Sequence, residues 1–201
     1  MALDSLRDLY VEQLRDLYSA ENQILQALPK MAEKSTHAEL KNGFLLHQRQ
    51  TEEQVRRLEQ IFQSLGERPS GVTCEGMKGL LKEGEKTMKE KSDSDVLDAA
   101  LIADAQRVEH YEIAGYGCVR TYARLLGRRE DAALLQRTLD EEGETDHKLT
   151  ALAERVINLD AAGDEEREVA VDAARERGTA RTASGGRSKK ARSEDEDVSA
   201  R

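Results

Sequence analysis

The sequence predicts an all-α fold: four long helices forming two antiparallel hairpins, joined by a long crossover that carries a short helix. Three observations predict it. Apolar residues recur at alternating spacings of three and four along four long stretches. The composition is poor in β-formers, with 3% aromatics, two prolines, no tryptophan and 35% charged residues. Only the middle of the three connections is long.

The first helix is expected over about residues 3–33. Tyr10, Leu14, Leu17, Glu21, Ile24, Leu28 and Met31 fall on one face, and Pro29 is placed to kink the last turns. The second runs over about 36–65, with Leu40, Phe44, His47, Thr51, Val55, Leu58, Phe62 and Leu65 in line, and Gly66 and Pro69 end it. The third covers about 95–126 and stops near Gly127. The fourth covers about 129–159, with Leu134, Thr138, Glu141, Thr145, Leu152 and Val156 on its predicted inner face. Met77, Leu80 and Leu81 mark the short helix in the crossover. A helix of thirty residues is about 45 Å long, and the crossover can run that whole length. The second and third helices are then parallel, which is the ferritin-like layout rather than an up-down-up-down bundle.

The chain has 201 residues, 40 acids against 31 lysines and arginines, and a formal net charge of -9. An acidic body argues against broad nucleic-acid binding, because the phosphate backbone repels it. No apolar run approaches the roughly 18–20 residues needed to span a bilayer, and the first ten residues lack the layout of a signal peptide. Cys74 and Cys118 lie far apart and do not suggest a disulfide framework. The expected location is cytoplasmic. Residues 161–201 differ from the rest. They hold almost no large apolar side chains, and a basic run around Arg187–Arg192 precedes an acidic one. A short solvated helix is expected at 164–177 and disorder from about Gly178, so that 1–160 is the bundle and 161–201 a charged, largely disordered tail. The basic run leaves nucleic-acid contact open, although a solubilising role is the simpler reading.

Certain polar residues fall where apolar ones belong. Glu21 interrupts the stripe of the first helix, and His47 that of the second. Glu109 and Glu112 share the third helix's face with Leu101, Ala105, Tyr116, Val119 and Ala123, and Glu141 sits on the predicted face of the fourth. Counting the helical rise, Glu21 and His47 both lie about 18 Å from the first hairpin's joint, and the other three fall near the same middle level. Four carboxylates and an imidazole in one apolar layer are costly as uncompensated charges. Two divalent ions resolve this, and a hydrated polar layer or shared protons is the alternative. A weak internal echo pairs residues 50–58 with 144–152, and Glu21 with Glu109.

Other candidates read less sharply. Glu144 and His147 match Glu-x-x-His literally, but His147 lies nearly opposite the predicted inner face. His110 points away from the core, and His37 stands at a helix start. Gln50 and Gln54 flank His47 as hydrogen-bond partners. Tyr18 and Tyr116 read as packing residues, and Cys118 as a small buried apolar one.

The stretches LYSAENQILQALPKMA, QTEEQVRRLEQIF, VEHYEIAGYG and DEEGETDHKLTALAE resemble the YciE/YciF family of bacterial ferritin-like proteins, in order and across all four helices. The resemblance implies a two-metal site inside the bundle, held by Glu21, His47, Glu109, Glu112 and Glu141, a homodimer and a link to bacterial stress responses. It implies no defined reaction. Where many relatives carry a carboxylate, this chain has Gln50, a neutral and weaker ligand. The expected function is a di-iron or di-manganese carboxylate protein handling O2, peroxide or ferrous iron, possession of an oxidoreductase activity being open. The alternatives are a non-catalytic stress adaptor with a structural or absent metal, and a DNA-protecting mini-ferritin, which the acidic body disfavours.

Overall fold

Ser5 opens the first helix. Its hydroxyl accepts the backbone N–H of Asp8 at 3.1 Å, satisfying one of the donors that a helix start leaves free. From there the computed structural model, which describes residues 3–163, runs as six α-helices with no strand among the described residues. They are α1 (Leu6–Lys34), α2 (Ala38–Leu65), α3 (Glu75–Thr87), α4 (Ser94–Leu125), α5 (Arg129–Leu152) and α6 (Asn158–Ala161), with a π-helical turn, Ala153–Ile157, between the last two. α1 runs on through Pro29 to Lys34. Gly66 and Gly127 stop the hairpin helices at φ of 67° and 73°, a left-handed backbone that glycine adopts without steric cost. The expected tail helix at 164–177 and the disorder from Gly178 lie outside the described residues.

Contacts between helix ends fix the topology. At one end buried Asp98, near the start of α4, accepts the backbone N–H groups of Thr36 and His37 at 3.0 and 2.7 Å and the Thr36 hydroxyl at 2.7 Å. The start of α4 therefore sits at the α1–α2 joint, beside the start of α2. At the other end the Tyr10 hydroxyl donates to Asp131 at 3.2 Å, which joins the start of α1 to the start of α5. α2 and α4 are thus parallel, α1 and α5 are parallel, and the crossover runs the length of the bundle. This is the ferritin-like arrangement. α3 packs on α1 and α4. Cys74 caps it and accepts the Met77 N–H.

The apolar core is divided. One cluster, towards the α1–α2 joint, contains Ile24, Leu28, Leu40, Phe44, Leu101 and Leu149. The other contains Tyr10, Leu14, Leu58, Phe62, Val119 and Leu135. Between them all four long helices present polar side chains inward. The predicted stripes of α1 and α4 are buried as expected. On α5 the buried stripe is Leu135, Thr138, Glu142, Leu149 and Leu152, not the set containing Leu134 and Val156. The π turn then delivers Ile157 to the core in place of Val156. Cys118, expected inside, is exposed on α4. No described helix is long and apolar enough to cross a membrane.

Candidate metal centre

The polar layer holds Glu21 from α1, His47, Thr51 and Gln54 from α2, Glu109 and Glu112 from α4, and Thr138 and Glu142 from α5. His47, Glu109 and Glu142 each place one ligand-type atom within 4.8 Å of the others, and all three are buried. His47 Nε2 is 3.3 Å from Glu109 Oε1 and 3.8 Å from a Glu142 oxygen. These approaches are not ion pairs. Burial pushes the imidazole down to about 4, so it is neutral at physiological pH. Its tautomer follows from its neighbours. The Thr145 hydroxyl spends its hydrogen on the Glu141 carbonyl at 3.0 Å, so towards Nδ1, 3.5 Å away, it acts as an acceptor. The proton belongs on Nδ1, and the Nε2 lone pair faces Glu109. Gln50 also pairs with the ring and favours its protonated form.

Glu21 and Glu112 complete the layer, both fully buried. The Tyr116 hydroxyl donates to one Glu21 oxygen, and the Gln54 amide donates to Glu142. Burial is the largest cause raising all four carboxyls. Glu21, Glu109 and Glu112 stand well above the usual carboxylate range, and Glu142 is pushed up to about 7. Mutual repulsion adds to this, Glu112 being raised by Glu21, Glu142 and Glu109. Six buried polar atoms of these five residues have no hydrogen-bond partner among the described residues: Glu21 Oε2, His47 Nε2, Glu109 Oε2, both oxygens of Glu112, and Glu142 Oε2. Buried polar atoms are otherwise nearly always paired. A hard divalent cation is the partner that oxygen atoms and one neutral imidazole nitrogen fit. The residues present therefore suit the implied metal.

Glu21, His47, Glu109 and Glu112 lie where the sequence places them. Glu141 does not. It points sideways into a two-pronged ion pair with Arg57, and the adjacent Glu142 takes the inward position. The reason is phase. In the acidic run Asp140, Glu141, Glu142 a 100° error exchanges neighbours, and the true stripe passes through Leu135 and Leu149. Choosing Leu135 over Leu134 as the apolar anchor was the signal that identifies Glu142. Gln54, expected as a hydrogen-bond partner beside His47, donates to Glu142, and Arg57 was missed as part of this layer's surroundings. Glu144 is exposed and paired with Lys148, and His147 is exposed. His110 is largely exposed and lies 3.3 Å from Asp146, and His37 stands just before α2. Tyr18 donates to Glu59 and packs edge-on against Phe62, away from the centre.

A family model described as a domain of unknown function, DUF892, matches residues 5–162. Protein YciF of Escherichia coli strain K12 is 40% identical over 162 residues, which is 80% of this chain and 98% of that protein. Among solved structures, the Escherichia coli stress protein YciF aligns with a TM-score of 0.75 at 40% identity, covering 77% of this chain and 98% of its own. YcfI of Rhodopseudomonas palustris aligns with a TM-score of 0.72 at 44% identity, over 74% and 94%. A protein of Xanthomonas campestris pv. campestris, 21% identical with a TM-score of 0.61 over 76% and 94%, shares the fold. Matched by the family model over residues 5–162 and 40% identical to a relative over 80% of its length, the chain belongs to the DUF892 family and is a relative of YciF.

Proposed function

We propose that this chain is a carboxylate metalloprotein of a bacterial stress response, holding about two divalent iron or manganese ions in the bundle centre. The observation that supports this reading is the set of unpartnered buried oxygens at one level, contributed by separate helices and facing a neutral imidazole. His47, Glu109 and Glu142 would hold one ion, and Glu21 and Glu112 would complete the set. Such ions, when bound, supply Lewis acidity and one-electron redox chemistry towards O2, peroxide or ferrous iron.

The chain's own contribution is orientation and exclusion of water. Tyr116 fixes one oxygen of Glu21, and Gln54 fixes Glu142. Thr145 and Gln50 hold the ring of His47 with Nε2 inward. Apolar clusters flank the layer at both ends. Partners that orient ligands in this way typically matter 10–100-fold, roughly, to metal affinity. A homodimer in the cytoplasm is part of the same reading, as is an oxidant as the small-molecule partner.

The test is elemental analysis of protein grown with added iron or manganese. About two ions per chain are expected, and Glu109→Ala should lose them. A metal-free protein whose stability is unchanged by either metal overturns the reading and favours a non-catalytic adaptor.

A further inference from the structure

Beside the polar layer, on the side of the α1–α2 joint, the bundle is not filled. A cavity of about 270 Å³ lies among the four long helices. Its walls include Ile24, Leu28, Phe44, Val108, Leu149 and Leu152. One end is closed by His47, Glu109 and Thr145, the His47–Glu109 edge of the metal layer. The other approaches solvent between α2 and α5, where Gly43, Leu46 and Lys148 are exposed.

Protein interiors are ordinarily packed to crystal density, so a void of this size inside a helical bundle is itself a feature. A dry apolar cavity of ~150 Å³ accommodates a benzene-sized molecule, so this one is large enough for a bicyclic aromatic or a medium-length carbon chain. The charged groups at the mouth are already engaged. Lys148 pairs with Glu144 at 2.6 Å, and Glu39 pairs with Arg155 at 2.7 Å. Within the cavity the polar side chains are Glu109, His47, Gln50 and Thr145, and the one lysine of the lining, Lys148, stands at the mouth. Without a bound ion, an anionic head group drawn inward would face the Glu109 carboxyl and no lysine or arginine.

We propose that this cavity is a binding site for a neutral, apolar small molecule, held with one end against His47 and Glu109. The proposal deepens the metal reading by naming the ligand class admitted beside that centre. It depends on that reading only for what the ligand lies next to. Gly43 guards the mouth. A Cβ there meets no heavy atom within 4 Å, so a larger side chain adds bulk beside the entrance without a clash at its Cβ.

The experiment is a calorimetric titration of the full chain with 1-octanol and, separately, with sodium octanoate, after chelator treatment and again after loading with manganese. Saturable binding of octanol is expected in both states, with octanoate weaker in the chelator-treated protein. Gly43→Leu at the mouth and Ala105→Leu in the wall should each weaken octanol at least tenfold, while Gly117→Leu, another open helical glycine away from the cavity, leaves it unchanged. Circular dichroism confirms that each variant folds. No saturable binding, equal affinity in all four proteins, or octanoate bound more tightly than octanol by the chelator-treated protein overturns the proposal. Manganese content of the same samples separates the two readings. Octanol binding without any metal uptake leaves the cavity assigned and removes the metal centre, and metal uptake without octanol binding does the reverse.

Discussion

Arg57 and Glu141 face each other across α2 and α5 in a two-pronged ion pair, with Nη1 to Oε2 at 2.6 Å and Nη2 to Oε1 at 2.7 Å. Thr138 accepts a further hydrogen bond from Arg57 at 3.0 Å. This pairing occupies one of two adjacent acids on α5 and leaves the other, Glu142, to the interior. Arg57 also lowers the pKa of Glu21 and Glu142, so it moderates the charge of the polar layer from its flank.

The two acids should therefore behave differently when removed. Glu142→Ala takes an oxygen ligand from the His47–Glu109 group and should abolish tight binding of at least one ion. Glu141→Ala strands a mostly buried guanidinium and should cost about 1–3 kcal/mol in stability, discounted from the cost of breaking a fully buried pair because Glu141 is partly exposed. Its metal content should stay near that of the wild type. Elemental analysis and urea unfolding of both variants check this, and equal metal loss in both would contradict the placement.

A second expectation concerns pH. Carboxyls raised in the folded state hold protons that the unfolded chain releases, so their stabilising contribution is present at low pH and is lost as pH rises through the folded values, about 7 for Glu142. His47 acts in the opposite sense. Its folded value of about 4 lies below the unfolded one, so its contribution is lost as pH falls through that range. Above about pH 6.5 the imidazole is neutral in the folded state and loses its remaining unfolded-state charge by about pH 7.5, so the several raised carboxyls decide. The urea midpoint of chelator-treated protein should fall between about pH 6.5 and 8, and saturating manganese should flatten the profile. A midpoint that holds constant or rises across that window without metal would contradict the assigned burial.

A third concerns the joint. Asp98 ties the α1–α2 turn to the start of α4 through two backbone N–H groups and a hydroxyl. Asp98→Ala leaves these donors without their carboxylate and should cost about 3 kcal/mol, or roughly 10 °C in melting temperature for a chain of this size. Metal content should be unaffected, because the tie lies at the end of the bundle. Thermal unfolding read alongside metal analysis checks both halves of the statement.

Much of this could be read from the sequence because helical periodicity is a local property. The spacing of Tyr10, Leu14, Leu17, Glu21, Ile24 and Leu28 gives the buried face of α1 directly, and the same holds for Leu101, Ala105, Glu109, Glu112 and Tyr116 on α4. The crossover length gave the parallel relation of α2 and α4, which Asp98 realises at the joint. On α5 the pattern was ambiguous. Leu134 and Leu135 are both apolar and Glu141 and Glu142 both acidic, so two neighbouring phases satisfied the same residue types. Cys118 shows the same limit, since a small thiol on a helix gives little sign of its own orientation.

By itself the sequence determined four amphipathic helices, their order, and the interruption of their apolar stripes by acids and a histidine, because each of these follows from residue type and the 3.6-residue turn. Tertiary packing decided which of two adjacent glutamates turns inward, because Arg57 on another helix captures Glu141. It also decided that the bundle stops short of filling the space beside His47. A cavity is the volume left over when side chains from separate helices meet, and no single helix encodes that remainder.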